Sequence, residues 1–224
     1  MPRRFVIDPR QVTITQLAPV VKLLLQGGVV AGPTESFYAL MALVDQPRAL
    51  ERIIELKGPE ARLDKPFLIM LDQEARVRCY ARELSEEAQR LMARFWPGPL
   101  TILLPAHKDL HPSLLGTGRT VGLRVEGLPV VRLLARMVDR GLTGSSANPG
   151  GAPPPVTGDE VADYFGEGVD LILDGGPTPG LAASTIIDAT LSPPRLVRAG
   201  SLAPADLKKA CPTLINCNST LSYS

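Results

Sequence analysis

The chain predicts an α/β fold built on a twisted, mixed, open sheet flanked by helices, and three observations support this. Apolar runs of strand length alternate with segments of helical periodicity from one end of the chain to the other. The 224 residues are enough to bury one sizeable core. The apolar runs near 171 to 199 follow one another too closely for helical crossovers, which requires some antiparallel pairing.

Taken in order, Thr15 can cap a helix in which Leu17, Val20, Val21, Leu24 and Leu25 repeat at helical spacing. Gly27-Gly28 ends it before a strand at 29 to 31. A second helix covers 48 to 57 through Leu50, Ile53 and Ile54, and the continuous apolar run 67 to 71 reads as a strand. Ser85, followed by Glu86 and Glu87, starts a helix over 85 to 95. Pro97 and Pro99 fix φ on either side of Gly98 and deliver the chain into a buried strand over 100 to 104. A strand at 120 to 125 precedes a helix at 129 to 140. Thr157 and Glu160 have the spacing of a capping box, so the proline-rich stretch 149 to 155 is a loop entering another helix. Strands at 170 to 174, 183 to 188 and 195 to 199 complete the pattern. A single domain over 1 to 212 is expected, with 213 to 224, polar and without periodicity, as a mobile tail.

Composition narrows the function classes. Apolar residues make up 45% of the chain and charged residues 21%, as in a soluble globular domain, while 4% aromatics make the core aliphatic. A net charge of +1 provides no global field for nucleic acid or anionic lipid, so any anion site must be local. The start, MPRRFVIDP, lacks the apolar segment of a signal peptide, and no run reaches the roughly 18 apolar residues of a membrane span, so cytoplasm is the expected compartment. Cys79, Cys211 and Cys217 show no CxxC spacing and read as ordinary thiols. His107 and His111 lack ligand spacing and read as surface residues.

Four segments can carry chemistry. GPTESFYAL, 32 to 40, sets Thr34, Glu35, Ser36 and Tyr38 directly after an apolar strand, where open α/β sheets commonly bind ligands; the same residues also suit a plain turn. KGPEARLDKPF, 57 to 67, brings Lys57, Arg62 and Lys65 between a helix and a strand, either to converge on a polyphosphate or to form a solvated loop. GSSANPGG, 144 to 151, allows backbone N–H groups and the hydroxyls of Ser145 and Ser146 to approach phosphate oxygens, or it is simply a polar turn. It has neither the lysine nor the spacing of a Walker A loop. Arg124 sits in a strand pattern opposite Val121, Leu123 and Val125, as a solvated residue or as a partner for a substrate anion.

Together GPTESFYAL, FWPGPLTILLPA at 95 to 106 and GSSANPGG resemble the motifs PT(D/E)TxYGL, WPGPLT and SAN-SG of the YrdC-like family, the threonylcarbamoyl-AMP synthases, over roughly residues 15 to 200. The resemblance implies a YrdC-like fold and an enzyme, a nucleotidyltransferase that condenses L-threonine, bicarbonate and ATP to threonylcarbamoyl-AMP for tRNA modification. It implies Mg2+ on the nucleotide, handover to a tRNA-modifying transferase complex, and contact with RNA. The alternative is a non-catalytic nucleotide- or RNA-binding relative on the same fold.

By the same resemblance Lys57, Ser146, Asn148 and Arg198 bind ATP, while Thr34, Tyr38, Arg124 and Ser184 bind threonine. The chain departs from the pattern in five places, one of them Phe37, which stands where a smaller residue is usual. Ala39 stands for a common glycine, and Met70 for a histidine found in some members. Pro59 takes the arginine position of a Lys-x-Arg motif in a loop about two residues longer than usual, so Arg62 is the candidate to supply that guanidinium. Glu126-Gly127-Leu128 follows Arg124 where a Pro-x-His element is common.

Overall fold

The structure, a computed structural model, describes residues 3–59, 66–180 and 182–216. Two mixed sheets form its frame. One has the order β1-β9-β2-β3-β8, with β1 (Arg4–Val6), β2 (Val30–Pro33), β3 (Tyr38–Met41), β8 (Ser145–Ser146) and β9 (Leu171–Asp174). The other has the order β11-β10-β5-β6-β4-β7, with β4 (Ile69–Leu71), β5 (Leu100–Pro105), β6 (Thr120–Val125), β7 (Leu142–Thr143), β10 (Thr185–Asp188) and β11 (Arg195–Arg198). The expected single open sheet is therefore divided. The division falls at Gly144, the residue between β7 and β8, whose N–H donates to Leu68 O at 2.9 Å. The expected crowding near the end of the chain is also resolved differently for its two halves: β9 joins the first sheet between β1 and β2, while β10 and β11 pair antiparallel in the second.

Alternation along the strands sorts the core into two layers. Leu40, Ile69, Leu71, Leu123 and Ile172 face a cluster that includes Leu50 and Ile53 of α2 (Pro47–Lys57) and Leu91 and Met92 of α3 (Glu86–Phe95). Val161 of α5 (Gly158–Phe165) and Leu207 of α6 (Pro204–Ala210) join them. Met41, Met70, Leu171 and Leu173 face the other way, onto Leu17, Val20 and Leu24 of α1 (Ile14–Leu25) and Val131 and Leu134 of α4 (Pro129–Val138). Met70, which replaces a histidine of some relatives, is thus fully buried core.

The caps follow the side-chain chemistry. Ser85 and Thr157 cap α3 and α5, with a complete capping box to Glu160. The cap of α1 corrects the sequence reading: Thr13, not Thr15, accepts the N–H of Gln16, and the Gln16 side chain accepts the N–H of Thr13. Thr15 lies one residue inside the helix. At the far end Leu214 is buried and Ile215 bridges to Arg195, and the rest of the expected tail, 217 to 224, lies outside the described residues. Among the described residues no helix is long and apolar enough to cross a membrane.

Candidate active site

Lys57 is the last residue of α2. Its Nζ donates to Ser146 O at 2.9 Å and to Asn148 Oδ1 at 3.5 Å. The remaining hydrogen bonds of Asn148 hold the loop itself, from Nδ2 to Pro149 O at 2.8 Å and to Ala152 O at 2.7 Å. Lys57 O accepts the N–H of Gly150 at 2.7 Å, so helix end and loop are fastened in both directions. Among the described residues no carboxylate pairs with Lys57, and burial lowers its pKa from 10.5 to about 8. The Ser146 hydroxyl, half-buried, makes no hydrogen bond among the described residues. A partly desolvated ammonium held only by neutral oxygens, beside an unused hydroxyl, has the chemistry of an anion site. Arg62 and Lys65, the other cations expected here, lie outside the described residues.

A second group gathers at the ends of β5, β6, β10 and β11. The Trp96-Pro97-Gly98-Pro99 turn ties three strands together. Trp96 Nε1 donates to Leu100 O at 2.6 Å, Gly98 N to Val125 O at 2.9 Å, and Thr185 N to Pro99 O at 3.0 Å. Thr101, inside the same motif, shares a 2.9 Å hydrogen bond with Ser184, and both are buried. Arg198 folds back onto Ser184, donating from Nε and Nη2 to Ser184 O at 3.1 and 2.9 Å and from Nη2 to Ser184 Oγ at 3.1 Å. Desolvation lowers the pKa of Arg198. Gly200 makes this approach possible, because a Cβ there would stand 2.3 Å from both Ala183 O and Thr185 N.

Arg124 is not a solvated residue. Only 4% exposed, it forms an ion pair with Glu126, itself 0% exposed. Burial lowers its pKa to about 10, nearby Glu35 raises it, and nearby Arg198 lowers it further, which joins Arg124, Arg198 and Glu35 in one electrostatic group. Thr34 is drawn into its own turn, its hydroxyl donating to Phe37 O at 2.8 Å and accepting from Ser36 N at 3.3 Å. Tyr38 is 0% exposed, and its hydroxyl donates to Gly176 O at 2.8 Å and accepts from Gly175 N at 3.2 Å. Burial, and then the charge of Asp174, raises its pKa. The structure thus brings Lys57, Ser146 and Asn148 together in one group and Arg124, Ser184 and Arg198 near one another in a second, with Thr34 and Tyr38 built into the strand-turn-strand between β2 and β3.

Sequence reasoning assigned no role to Glu126 or Thr101 and named Glu35 only as a member of GPTESFYAL. Glu126 had a detectable signal, since it stands two residues after Arg124 on a strand pattern and so shares its face. The magnesium expected with ATP finds no cage of protein carboxylates: among the described residues no three His, Cys, Asp or Glu side chains could hold a metal together.

The mixed α/β frame thus sets a buried lysine against the Ser146–Asn148 loop and brings two arginines, Arg124 and Arg198, near each other. The chain belongs to the Sua5/YciO/YrdC family, whose model, described as telomere recombination, matches residues 22–200. It is 36% identical to the threonylcarbamoyl-AMP synthase of Pyrococcus abyssi over 82% of this chain and 54% of that protein. With the Bacillus subtilis threonylcarbamoyl-AMP synthase it shares 31% identity over 91% of this chain and 58% of that one. Against Pyrococcus abyssi Sua5 complexed with L-threonine the TM-score is 0.87 at 30% identity, covering 96% of this chain and 62% of that one. Against Escherichia coli YciO it is 0.82 at 28% identity, covering 94% of this chain and 100% of that one. The chain therefore spans a little over half the length of the two synthases.

Proposed function

We propose that the protein is an L-threonylcarbamoyladenylate synthase, a nucleotidyltransferase acting on L-threonine, bicarbonate and ATP. The observation that supports this most is Lys57, a partly desolvated ammonium with no carboxylate partner among the described residues, adjoining the Ser146–Asn148 loop. A triphosphate supplies the charge it lacks. The Sua5 relative that holds L-threonine supports the second substrate.

In this reading the threonine amine, once it has given up its proton, takes up bicarbonate carbon with loss of water to give a carbamate. A carbamate oxygen then attacks the α-phosphorus and pyrophosphate leaves. Proximity and charge neutralisation do most of this work, since threonine, bicarbonate and ATP all carry charge. Lys57, Arg62 and Ser146 bind the triphosphate, with Asn148 orienting Lys57. Arg198 takes the nucleotide end. Arg124 and Ser184 hold threonine, while Thr34 and Tyr38 shape the turn beside it from within. Magnesium, if bound, would be held by the nucleotide's phosphates rather than by protein carboxylates and would supply further charge neutralisation beside Lys57 and Arg62. Handover of the product to a tRNA-modifying transferase complex, contact with RNA and a cytoplasmic location belong to the same proposal.

Pyrophosphate release from ATP by the purified chain is expected only when threonine and bicarbonate are both present. Release that ignores threonine overturns the proposal. Nucleotide binding without turnover selects the non-catalytic nucleotide- or RNA-binding relative instead.

A further inference from the structure

At the end of β6 the Arg124–Glu126 ion pair is closed to solvent, yet it is not saturated. Glu126 Oε2 meets Arg124 Nη2, while Arg124 Nε is buried without a hydrogen-bond partner among the described residues. The contact is thus a close approach of opposite charges rather than the two-bond fork that arginine and carboxylate favour. The second oxygen, Glu126 Oε1, accepts the N–H of Glu35 at 2.9 Å, and Glu35 Oε2 accepts the N–H of Gly127 at 3.0 Å. Glu126 therefore ties Arg124 to the turn that carries Thr34. Gly127 makes the tie possible, because a Cβ there would stand 1.8 Å from Glu35 Oε1.

Glu35 and Arg198 both lie within electrostatic reach of Arg124. A third guanidinium, that of Arg132, donates only to the carbonyls of Glu126 at 2.6 Å and Gly127 at 2.5 Å, so the carboxylate in contact with Arg124 is that of Glu126. Breaking a buried pair leaves an uncompensated charge unless a new partner arrives. A ligand that brings only a carboxylate would satisfy Arg124 and strand Glu126. One that brings a carboxylate and an ammonium satisfies both.

We propose that Glu126 is a specificity-determining residue of this end: a ligand carboxylate displaces it from Arg124 by exchange, and the released carboxylate, with Glu35, receives the ligand's ammonium. The end then selects amino acids over acids that lack the amine. This rests on the reading of Arg124 as the carboxylate partner of threonine. It explains why a buried acid is placed beside that arginine, where it would otherwise only weaken the site.

The test is equilibrium binding of L-threonine and of 3-hydroxybutyrate, its counterpart without the amine, to the full chain by calorimetry. Wild type and Glu126→Asp are expected to prefer threonine, and Glu126→Gln to lose at least tenfold of that preference, chiefly by gaining affinity for 3-hydroxybutyrate. Gly127→Ala, which disturbs the tie but keeps both carboxylates, is expected to weaken both ligands and preserve their ratio. A merely structural Glu126 would make the glutamine variant behave like the alanine one, and an unchanged ratio in folded Glu126→Gln overturns the inference. If the glutamine variant does not fold, Glu35→Gln replaces it, expected to narrow the ratio to a lesser degree, and an unchanged ratio there overturns the inference equally. Wild type that binds threonine while the ratio stays fixed leaves the proposed function standing; wild type that binds ATP but no threonine removes both.

Discussion

Lys57 and Arg124 are both cations drawn into the protein, and their surroundings differ in one respect. Lys57 meets carbonyl and amide oxygens and, among the described residues, no carboxylate, so burial leaves its charge uncompensated and its pKa falls to about 8. Arg124, more deeply buried, has Glu126 against it and Glu35 close by. An uncompensated cation stores attraction for an anion, while a compensated one can only exchange partners. The first suits a polyphosphate, which brings far more negative charge than the protein supplies. The second suits a zwitterion, which brings as much charge of each sign as it displaces.

The largest expected effect removes that contrast at the lysine. Lys57→Met keeps the aliphatic stem and deletes the charge, and losing a charge-assisted hydrogen bond of about 1.5–3 kcal/mol weakens ATP binding roughly ten- to a hundredfold. Because folding disfavours the charged form of Lys57, the same variant is expected to melt no lower than wild type. Titration calorimetry paired with thermal unfolding checks both statements, and a lower melting temperature with unchanged ATP affinity makes Lys57 a structural residue. Arg62→Ala is expected to weaken ATP binding or turnover by a similar factor, about ten- to a hundredfold for the same reason, and Pro59→Ala far less, since proline cannot donate to phosphate. Equal behaviour of the two variants at matched stability would place the missing guanidinium elsewhere.

Gly200→Ala probes the second group. A methyl group forced against the backbone of 183–185 costs about 1–3 kcal/mol, as overpacking does. The loss of stability is expected to appear with weaker threonine binding, because Arg198 and Ser184 shift together, while ATP affinity at Lys57 changes less. Denaturant unfolding and binding of both ligands measure it, and a uniform loss of both affinities means that the two groups are not separable.

The smallest effect is in pH. The folded-state pKa of Lys57 lies below its unfolded value of 10.5, so folding favours the neutral form. The stability this contributes is fully present above 10.5 and is lost as pH falls through about 8. Anion binding requires the protonated form and has the opposite sign: ATP affinity declines as pH rises past about 8, by at most about tenfold per pH unit, with proton uptake on binding. Calorimetry at pH 8.5 in buffers of different ionisation enthalpy reads that uptake directly, and Lys57→Arg is expected to abolish it.

Much of the frame was readable from periodicity. Helices at 48 to 57 and 85 to 95, the strand at 120 to 125 and the Thr157 capping box all stand where spacing put them, with bounds within a residue or two. The misses share a cause. β3 begins inside GPTESFYAL and β8 lies inside GSSANPGG, segments whose small and polar residues read as turns, and β7 and β8 are two residues each, too short to show a period. Their strand character comes from pairing partners far along the chain, Ala39 with Ser146 and Ile69 with Thr143. Thr13 and Thr15 are equally able to cap, and the box with Gln16 decides between them.

The sequence alone determined the alternating α/β order, the aliphatic core and the three motifs that mark the family, because each is written in local spacing and residue type. Only the tertiary structure decided that Arg124 is neither solvated nor vacant, that Tyr38 spends its hydroxyl on Gly176, and that Lys57 reaches the Ser146–Asn148 loop across 89 to 91 positions. The physical reason is that a side chain's type is fixed locally, but its charge state and availability depend on which groups share its buried surroundings, and the fold brings those groups in from distant parts of the chain.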